Sequence, residues 1–454
     1  MLARPFQSLL VLGIVALALR VALVLALTGA TSRPMTYEHG EIARNLVAGH
    51  GFVVTFLGVE GPTSQQAPLV PLLLAGVYQV FGVDSPAAVL AFQLLQCAAG
   101  TALVLCVVWL ARSLVHELPA VAWIAGWGAA LYPIHVYAVT HVQAAPWAAL
   151  LLTLLLAIVA SARKSTDSPR SLYLTGALAG LTAGVMLLVE PILALSIPFA
   201  AWMLYRKPRR VLPVAVMAAA AALVVTPWLV RNRVVHGEFV FVKSTFGYAF
   251  WQGNNPASWG TDKIPKPNVE EIRNSHDGTL ASCNRALWEA RHETLYIDDV
   301  LLKPAGYARF AGLSEPARSR LLGDEAWRFL RAEPLAYLGL CAKRLQYFLL
   351  WDETNPKTAA LPYRAATLAW LIVAAAGLWC SRPWWPRLWP LVAIFASVAL
   401  FHCLTIVSAR FRIPLEPLSF VWAACVFVRS GRVGPDVPLP KLRSARKAAS
   451  LVRQ

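Results

Sequence analysis

The chain has 454 residues, of which 57% are hydrophobic and only 14% are charged. Its mean hydropathy is +0.55. This composition leaves too little polar surface to coat a water-soluble globule of this size, so a soluble class is excluded. The formal net charge is +17. The basic residues cluster at the ends of apolar segments without a stacking platform for bases, which favours positively charged cytoplasmic loops over nucleic-acid binding.

Ten apolar segments recur along the chain. Crossing the hydrocarbon core of a bilayer, about 30 Å thick, takes roughly 20 helical residues. Helices are expected because each one satisfies its own backbone hydrogen bonds in lipid. The sequence therefore predicts an all-α polytopic membrane protein with about ten transmembrane helices. The segments are residues 9–27, 87–110, 121–137, 146–162, 172–189, 192–204, 212–229, 365–380, 388–406 and 413–428.

Basic clusters at the segment ends predict the orientation of the helices. Lysine and arginine accumulate in cytoplasmic loops, so both termini are expected in the cytoplasm. The clusters are Arg163, Lys164 and Arg170; Arg206, Lys207, Arg209 and Arg210; Arg382 and Arg387; and residues 429–453.

Two shorter apolar stretches, Leu69–Phe81 and 335–350, have no crossing to make in this arrangement. Lys343 and Arg344 interrupt the second stretch and Trp351 ends it, a pattern typical of a helix in the headgroup layer. Both stretches are therefore predicted to be interfacial or re-entrant. If both crossed instead, the count would be twelve, with the same location for the termini.

The expected organisation has four parts. Residues 1–230 form an N-terminal membrane domain with a first periplasmic loop at 31–68. Residues 231–334 have ordinary soluble composition and are expected to form a small mixed periplasmic cap. Residues 335–428 contain the interfacial helix and the last transmembrane helices, and residues 429–454 form a basic cytoplasmic tail. Within the cap, residues 238–244 suggest one strand and residues 314–332 have helical spacing.

The first outer loop contains a compact group of ionisable residues. In a helix Glu38 and Glu41 lie on one face because they are three positions apart, with His39 beside them. Such a group is a candidate to accept a proton from a hydroxyl nucleophile or to hold a divalent cation. A solvated amphipathic turn is the alternative reading.

A second carboxylate, Glu190, lies between two apolar segments and is followed by Pro191. A carboxylate at the membrane edge needs a partner, and a hairpin on the outer face is expected to bring it near the first loop. The alternative is a hydrated helix end.

Basic and amide side chains follow at two further places on the outer side. Arg231 offers a planar fork that suits a phosphate, and Asn232, Asn254 and Asn255 lie in or near turns beside it. Composition alone also fits a snorkelling end residue for Arg231. Arg410 and Arg412 lie between the last two segments, on the side where basic residues are unusual, so an anionic lipid headgroup is their expected partner.

At these places the chain resembles the polytopic glycosyltransferases of the GT-C class, the superfamily of protein O-mannosyltransferases and lipid A aminoarabinose transferases. The order of the matching segments carries the resemblance, since no single segment is specific. These segments are residues 42–46 (Ile-Ala-Arg-Asn-Leu), 49–52 (Gly-His-Gly-Phe), 67–75, 81–82, 131–133 (Leu-Tyr-Pro), 227–232, 253–256 (Gly-Asn-Asn-Pro) and 410–414 (Arg-Phe-Arg-Ile-Pro).

The resemblance implies a sugar donor linked to a polyprenyl phosphate and transfer on the outer face of the bacterial inner membrane. A first-loop carboxylate would act as base toward the acceptor hydroxyl, and basic residues at the membrane edge would hold the lipid phosphate. Three positions depart from the pattern. Met35 stands where the family has an aspartate, residues 141–144 lack the usual second-loop glutamate, and Glu190 replaces an arginine before Pro191.

The leading hypothesis is therefore a membrane glycosyltransferase that moves a sugar from a polyprenyl-phosphate carrier to a periplasmic glycan, lipid or protein. Glu38, Glu41 and Glu190 are its candidate catalytic residues. The candidate substrate-binding residues are His39, Arg231, Asn232, Asn254, Asn255, Arg410 and Arg412. A catalytically inactive lipid-binding or assembly protein of the same fold is the alternative. A transporter is disfavoured because mid-membrane ionisable residues are few.

Overall fold

The computed structural model describes residues 3–27, 36–162, 169–205, 211–303 and 305–428. Met35, the residues from Arg163 to Lys164 and from Arg206 to Arg210, and the basic tail lie outside the described residues. Within the described ranges the chain is predominantly helical and carries two small sheets. The predicted all-α membrane class is confirmed.

The helices follow the apolar segments closely. In the first half they are α1 (Ala3–Leu27), α2 (Tyr37–Val47), α3 (Leu69–Phe81), α4 (Pro86–Leu114), α5 (Pro119–Leu131), α6 (Pro133–Ala138), α7 (Ala145–Ser161), α8 (Pro169–Leu187), α9 (Ile197–Tyr205) and α10 (Val211–His236). The second half contains α11 (Phe246–Gly253), α12 (Pro267–Asn274), α13 (Leu280–His292), α14 (Ile297–Leu301), α15 (Glu315–Ala332), α16 (Pro334–Leu349), α17 (Leu361–Cys380), α18 (Trp385–Leu404) and α19 (Glu416–Ala423).

Five helical segments of the described chain are long and apolar enough to cross a membrane. Shorter apolar helices accompany them, and the number of crossings stays a prediction. The five are Ser8–Leu27, Pro86–Leu114, Val211–His236, Leu361–Cys380 and Arg382–Leu404. The shorter ones are Leu69–Phe81, Pro119–Leu131, Ala145–Ser161, Pro191–Tyr205 and Glu416–Phe427.

Glycines bring α8 and α10 into close contact. A Cβ atom added at Gly176 or Gly180 would lie 2.4 Å from the Pro213 carbonyl oxygen or 2.2 Å from that of Met217. Membrane helices use small residues in this way because lipid gives no hydrophobic drive for association, so close van der Waals contact must supply it.

The two ends of the helical bundle differ in character. At one end, Arg387 at the start of α18 pairs with Glu117 in the turn after α4, at 2.6 Å. At the other end, Asn254 Nδ2 donates to the Thr405 carbonyl just beyond α18, at 2.8 Å. Because a 20-residue helix is about 30 Å long, these ends lie far apart. We call the second the cap end, since α2 and residues 237–333 lie there.

The first loop forms α2 and a hairpin. Strand β1 (Val53–Phe56) pairs antiparallel with β2 (Val59–Pro62) around a turn in which Leu57 and Gly58 both have positive φ. Gly40 is required in α2, because a Cβ there would lie 1.8 Å from Thr36 Oγ1. Glu38 and Glu41 both lie in this helix, three positions apart.

The cap is mostly helical, and its sheet consists of β3 (Lys263–Ile264) and β4 (Leu295–Tyr296). The strand predicted over residues 238–244 is wrong. This segment is neither helix nor strand, and its carbonyls accept hydrogen bonds from side chains instead of from a neighbouring strand. Asn232 Nδ2 donates to Phe241 O at 2.9 Å, and Trp228 Nε1 donates to Val242 O at 3.0 Å.

Helix α16 forms over the stretch predicted to lie at the interface, and α15 forms over the predicted cap helix. The arginine that interrupts the apolar run of α16 faces the protein. Arg344 is fully buried and donates to Cys403 O at 2.6 Å and to Gly253 O at 2.7 Å. Its charge therefore ties α16 to the end of α18 and to α11.

Candidate functional site

Basic side chains from three distant parts of the chain meet at the cap end. His141 comes from the turn after α6, Arg291 from α13, and Lys357 from a 3₁₀ helix (Pro356–Ala359) that precedes α17. Lys357 Nζ lies 2.5 Å from His141 Nε2. We call these three residues the basic cluster.

An aromatic side chain organises the basic cluster. The indole of Trp288 in α13 stacks on the His141 ring, with centroids 5.0 Å apart. Lys357 Nζ lies 3.5 Å from the centroid of the same indole. Tyr137 packs edge-on against His141 and donates its hydroxyl to Asn284 at 2.9 Å. The indole of Trp288 thereby contacts both the lysine and the imidazole, and Tyr137 of α6 contacts the imidazole.

The electrostatics of the basic cluster favour a negatively charged ligand. Burial, and then Arg291, holds the pKa of Lys357 well below its usual range. Burial, and then Lys357 and Arg291, lowers the pKa of His141. Among the described residues neither side chain pairs with a carboxylate. A bound anion would supply the negative charge that stabilises the protonated forms of these buried bases.

Arg291 has an unused donor. Its Nη2 donates to the Tyr296 hydroxyl, and its guanidinium lies 5.0 Å from the centroid of that ring. Its Nη1 is buried and has no hydrogen-bond partner in the described part of the chain. A buried unpaired donor is costly, so this atom is placed to meet a ligand acceptor.

Two aspartates lie beside the basic cluster. Burial alone would raise the pKa of Asp262, but Lys263, Arg291 and Arg410 together hold it below its usual range. Burial raises the pKa of Asp352, whose Oδ1 accepts from Thr354 while its buried Oδ2 has no hydrogen-bond partner among the described residues. Asp262 is bonded to Lys263, so its charge is already balanced.

Two of the predicted first-loop residues face this region. Glu38, half-buried in the first turn of α2, contributes to the raised pKa of Tyr248 after burial and Asp298, and acts on Tyr296 as well. No hydrogen bond or ion pair holds its carboxylate within the described ranges. Tyr37, which precedes it, has φ +52°, a conformation that costs of order 1–3 kcal/mol and is often found at functional sites.

His39 and Arg410 also belong to this region. The Nδ1 atom of His39 is buried and unpartnered among the residues described. Burial, and then Lys243 and Arg410, lowers the pKa of His39 to about 3. Arg410 is exposed and lies over the Phe411 ring at 5.6 Å. The imidazole is therefore neutral, and the Arg410 guanidinium forms no hydrogen bond or ion pair with the other described residues.

Glu41 and Glu190 are placed differently. The Glu41 carboxylate accepts from the Thr55 amide at 2.7 Å, so it holds the hairpin against α2. Glu190 precedes a 3₁₀ helix (Pro191–Ser196) and is half-buried. No hydrogen bond or ion pair joins its carboxylate to another described side chain, and its catalytic role stays a prediction.

Arg231 and Asn232 use their polar atoms within the protein. Arg231 donates to Thr63 O at 2.6 Å and to Phe52 O at 3.2 Å, and lies over the Trp228 ring at 4.8 Å. Asn232 is fully buried, and its Oδ1 accepts from Ser64 at 2.7 Å. These contacts fasten the end of α10 to the first loop. A role in substrate binding stays a prediction for both.

The two adjacent asparagines of the cap are likewise engaged. Asn254 Oδ1 accepts from Arg344 at 3.1 Å. Asn255 Nδ2 donates to Trp251 O at 2.8 Å, and its Oδ1 accepts from Ala257 at 2.9 Å. Both are buried, so the structure gives them a part in shaping the turn after α11.

Arg412 is separated from Arg410 by burial. It pairs with Glu416 at 2.7 Å and donates to Leu349 O at 2.6 Å. Glu416 also lies 2.9 Å from His135 Nε2. This buried network joins α16, α6 and α19, and it leaves Arg410 as the exposed arginine of the predicted pair.

The described residues contain no group of three or more His, Cys, Asp or Glu side chains placed to share a metal ion. The divalent cation considered from the sequence stays a prediction.

Sequence reasoning missed Arg291, Trp288, Lys357 and Asp262. These residues carry no motif, and they come from three separate parts of the chain around positions 262, 288–291 and 357. His141 was noted only as a departure from the resembled family. Basic residues a few positions after a tryptophan, as at Trp288 and Arg291, were the available signal, but solvated basic residues are too common for this signal to be specific.

Neither a protein-family model nor a curated protein matches the sequence. Solved structures do match. Oligosaccharyltransferase AglB from Archaeoglobus fulgidus, in complex with an inhibitory peptide and a dolichol-phosphate, aligns over 92% of this chain and 49% of its own, at 17% identity and TM-score 0.54. The same enzyme in complex with Zn and sulfate aligns over 92% and 48%, at 16% and 0.51.

ArnT from Cupriavidus metallidurans, bound to undecaprenyl phosphate, aligns over 91% of this chain and 77% of its own, at 15% identity and TM-score 0.41. The chain spans about half the length of the oligosaccharyltransferase. The predicted resemblance is confirmed at the level of fold: the chain has the GT-C fold of polytopic membrane glycosyltransferases.

Proposed function

We propose that this chain is a membrane glycosyltransferase of the bacterial inner membrane. It would transfer a sugar from a polyprenyl-phosphate carrier to an acceptor hydroxyl on the periplasmic face. The observation that carries the proposal is the basic cluster, whose bases lack a carboxylate partner among the described residues and lie at the cap end of a GT-C fold.

The donor phosphate would bind in the basic cluster. Lys357 and the free Nη1 of Arg291 would donate to its oxygens, with His141 beside them. Arg410, exposed near His39, is a further candidate contact. The polyprenyl chain would leave toward the lipid beside the apolar helices. Solved relatives of this fold bind dolichol-phosphate or undecaprenyl phosphate, which is consistent with such a donor.

Glu38 would act as the base. As the acceptor oxygen forms its bond to the anomeric carbon of the sugar, the hydroxyl proton passes to the Glu38 carboxylate. The bond between that carbon and the phosphate oxygen breaks, and polyprenyl phosphate leaves with the electron pair. The basic cluster would stabilise the charge that develops on this leaving group, commonly the largest contribution in such reactions.

The proposal also includes the orientation of the chain in the membrane and the kind of molecule that accepts the sugar. With both termini in the cytoplasm, the cap end faces the periplasm, where a glycan, a lipid or a protein would supply the hydroxyl. Glu41 and Glu190 would support the site from its edges, Glu41 by holding the hairpin.

The test uses purified full-length protein and radiolabelled polyprenyl-phosphate sugars, with transfer and donor binding measured separately. Glu38→Gln should lower transfer by about 10²- to 10⁴-fold, the usual effect of losing a general base, and leave donor binding intact. Lys357→Met should weaken donor binding by at least about tenfold, since a charge-assisted contact is lost.

Two variants serve as matched controls. Glu41→Gln keeps an acceptor for the Thr55 amide and should retain transfer. Lys303→Met removes an exposed cap lysine that pairs with Asp299 and should retain donor binding. Undiminished transfer by Glu38→Gln would remove Glu38 as the base. Tight donor binding by the wild type without transfer to any acceptor would instead favour the non-catalytic lipid-binding protein.

A further inference from the structure

The end of α15 carries a basic and aromatic surface that the proposed reaction does not use. Asp324, Trp327, Arg328 and Arg331 line a surface depression of about 330 Å³. Their spacing of three, four and seven residues places them on one face of the helix. All four are exposed, Trp327 to 52%.

The charge of this depression is not balanced. Arg328 and Arg331 form no hydrogen bond or ion pair with another described residue. By contrast, two other cap arginines are paired: Arg309 with Glu325 at 2.6 Å and Arg320 with Glu238 at 2.5 Å. The depression therefore offers two uncommitted guanidinium groups against the single carboxylate of Asp324.

The depression lies close to the end of a candidate membrane span. Tyr337, in the first turn of α16, donates its hydroxyl to the carbonyl of Leu404, the last residue of α18, at 3.1 Å. Helix α16 begins two residues after α15 ends, so Arg331 lies six positions before Tyr337. The arginines are thus close in the chain to a residue that contacts the end of a candidate membrane span.

Exposed leucines continue the surface along α16. Leu335 is 82% exposed and Leu338 is 59% exposed. Contiguous apolar side chains with this exposure mark a surface that another apolar molecule covers. Next to the end of a membrane span, lipid acyl chains are the molecules that can cover such an apolar surface. Tryptophan together with arginine is typical of the adjoining headgroup layer.

We propose that the junction of α15 and α16 is a binding site for an anionic phospholipid. The phosphate would lie between Arg328 and Arg331, whose planar forks match phosphate oxygens, and the acyl chains would lie along Leu335 and Leu338. A free phosphate would satisfy the arginines but would leave the leucines uncovered. The site is distinct from the basic cluster and does not depend on the proposed reaction.

Native mass spectrometry of the delipidated full-length protein tests the site, with phosphatidylglycerol and phosphatidylcholine added separately. The wild type should retain phosphatidylglycerol in preference to phosphatidylcholine. The double variant Arg328→Gln/Arg331→Gln should lower phosphatidylglycerol affinity by at least about tenfold, the loss of charge-assisted contacts. Leu335→Ser/Leu338→Ser should weaken both lipids, because acyl contact is lost.

The matched control is Arg309→Gln/Arg320→Gln, which removes the same charge from arginines that are already paired and should bind phosphatidylglycerol like the wild type. Equal retention of the two lipids by the wild type would overturn the proposal, and this outcome needs no variant to fold. Displacement of phosphatidylglycerol by an equal concentration of inorganic phosphate would overturn it as well, as would unchanged binding by the α15 double variant.

Discussion

Lys357 and His141 lie in direct contact although both are bases. Two cations this close in a buried site repel each other, so at least one is neutral while the site is empty. Burial lowers the pKa of both side chains; Arg291 lowers the pKa of Lys357 further, and Lys357 and Arg291 lower that of His141 further. A bound phosphate would raise the pKa of Lys357, because its negative charge stabilises the protonated lysine. Proton uptake should then accompany donor binding.

This coupling predicts a pH dependence. A lowered pKa means that Lys357 loses its proton at a lower pH than an ordinary lysine, and the cation is the form that binds phosphate. Affinity for polyprenyl phosphate should therefore fall as pH rises through the lowered pKa. Calorimetry at one pH in buffers of different ionisation enthalpy should show uptake of up to about one proton.

Lys357→Arg provides the control for this measurement, because arginine stays protonated. The variant should bind with smaller proton uptake and a flatter pH profile. An apparent binding enthalpy of the wild type that is the same in all buffers would contradict the coupling.

At the residue scale, the sequence predicted the side chains whose residue type and position in the chain make them stand out. Glu38 and His39 were found because ionisable residues at helical spacing stand out in an apolar chain. Arg231 and Arg412 were found for the same reason, yet their donors meet backbone carbonyls. A sequence shows that an arginine lies near a membrane edge, but only the packed structure shows whether its donors remain available.

At the scale of elements, the helices were largely predictable. In lipid, the backbone of an apolar segment must satisfy its own hydrogen bonds, and a helix is the regular form that does so within one segment. Helix α3 has the predicted bounds, Leu69–Phe81. The hairpin of β1 and β2 was not predicted, since only its Leu57-Gly58 turn distinguishes it locally. The strand predicted over residues 238–244 failed because the side chain of Asn232, in helix α10, binds its carbonyls.

The contact between α8 and α10 gives a prediction at this scale. Gly180→Leu places a large side chain where a Cβ already meets the Met217 carbonyl oxygen at 2.2 Å. The helices must separate, so thermal stability in detergent should fall, by about 1–3 kcal/mol or more in unfolding free energy. Thermal unfolding of the purified variant measures the loss.

Gly13→Leu is a suitable comparison, because a Cβ at Gly13 meets nothing within 4 Å. It should change the melting temperature little. A Gly180→Leu protein that unfolds like the wild type would show that the α8 and α10 contact is not tight.

For the whole molecule, Glu315 connects the cap to the membrane domain. This buried carboxylate at the start of α15 accepts from the Ser64 amide at 2.7 Å and from the hydroxyls of Thr63 and Ser244 at 2.5 Å each. It therefore joins the first loop, the extended segment after α10 and the main cap helix. The convergence of these parts could not be read from the sequence, because no local pattern links residues that lie about 250 positions apart.

Glu315→Ala should loosen the cap. Each buried donor left unpaired costs about 1–3 kcal/mol, so a clear decrease in melting temperature is expected, together with faster proteolysis within residues 237–333. Glu325→Ala, which removes a partly exposed partner of Arg309, should have a smaller effect. Equal stability of the Glu315→Ala variant and the wild type would show that the cap is held by other contacts.

The long sequence separation within the basic cluster also has a consequence for biosynthesis. Lys357 follows His141 by 216 residues. At roughly 5–20 residues per second, a ribosome needs about 10–40 s to add this stretch. A nascent chain that ends before Lys357 lacks one wall of the proposed donor site. Under the proposed function, donor binding would therefore begin only late in synthesis, so the incomplete protein would not bind carrier lipid.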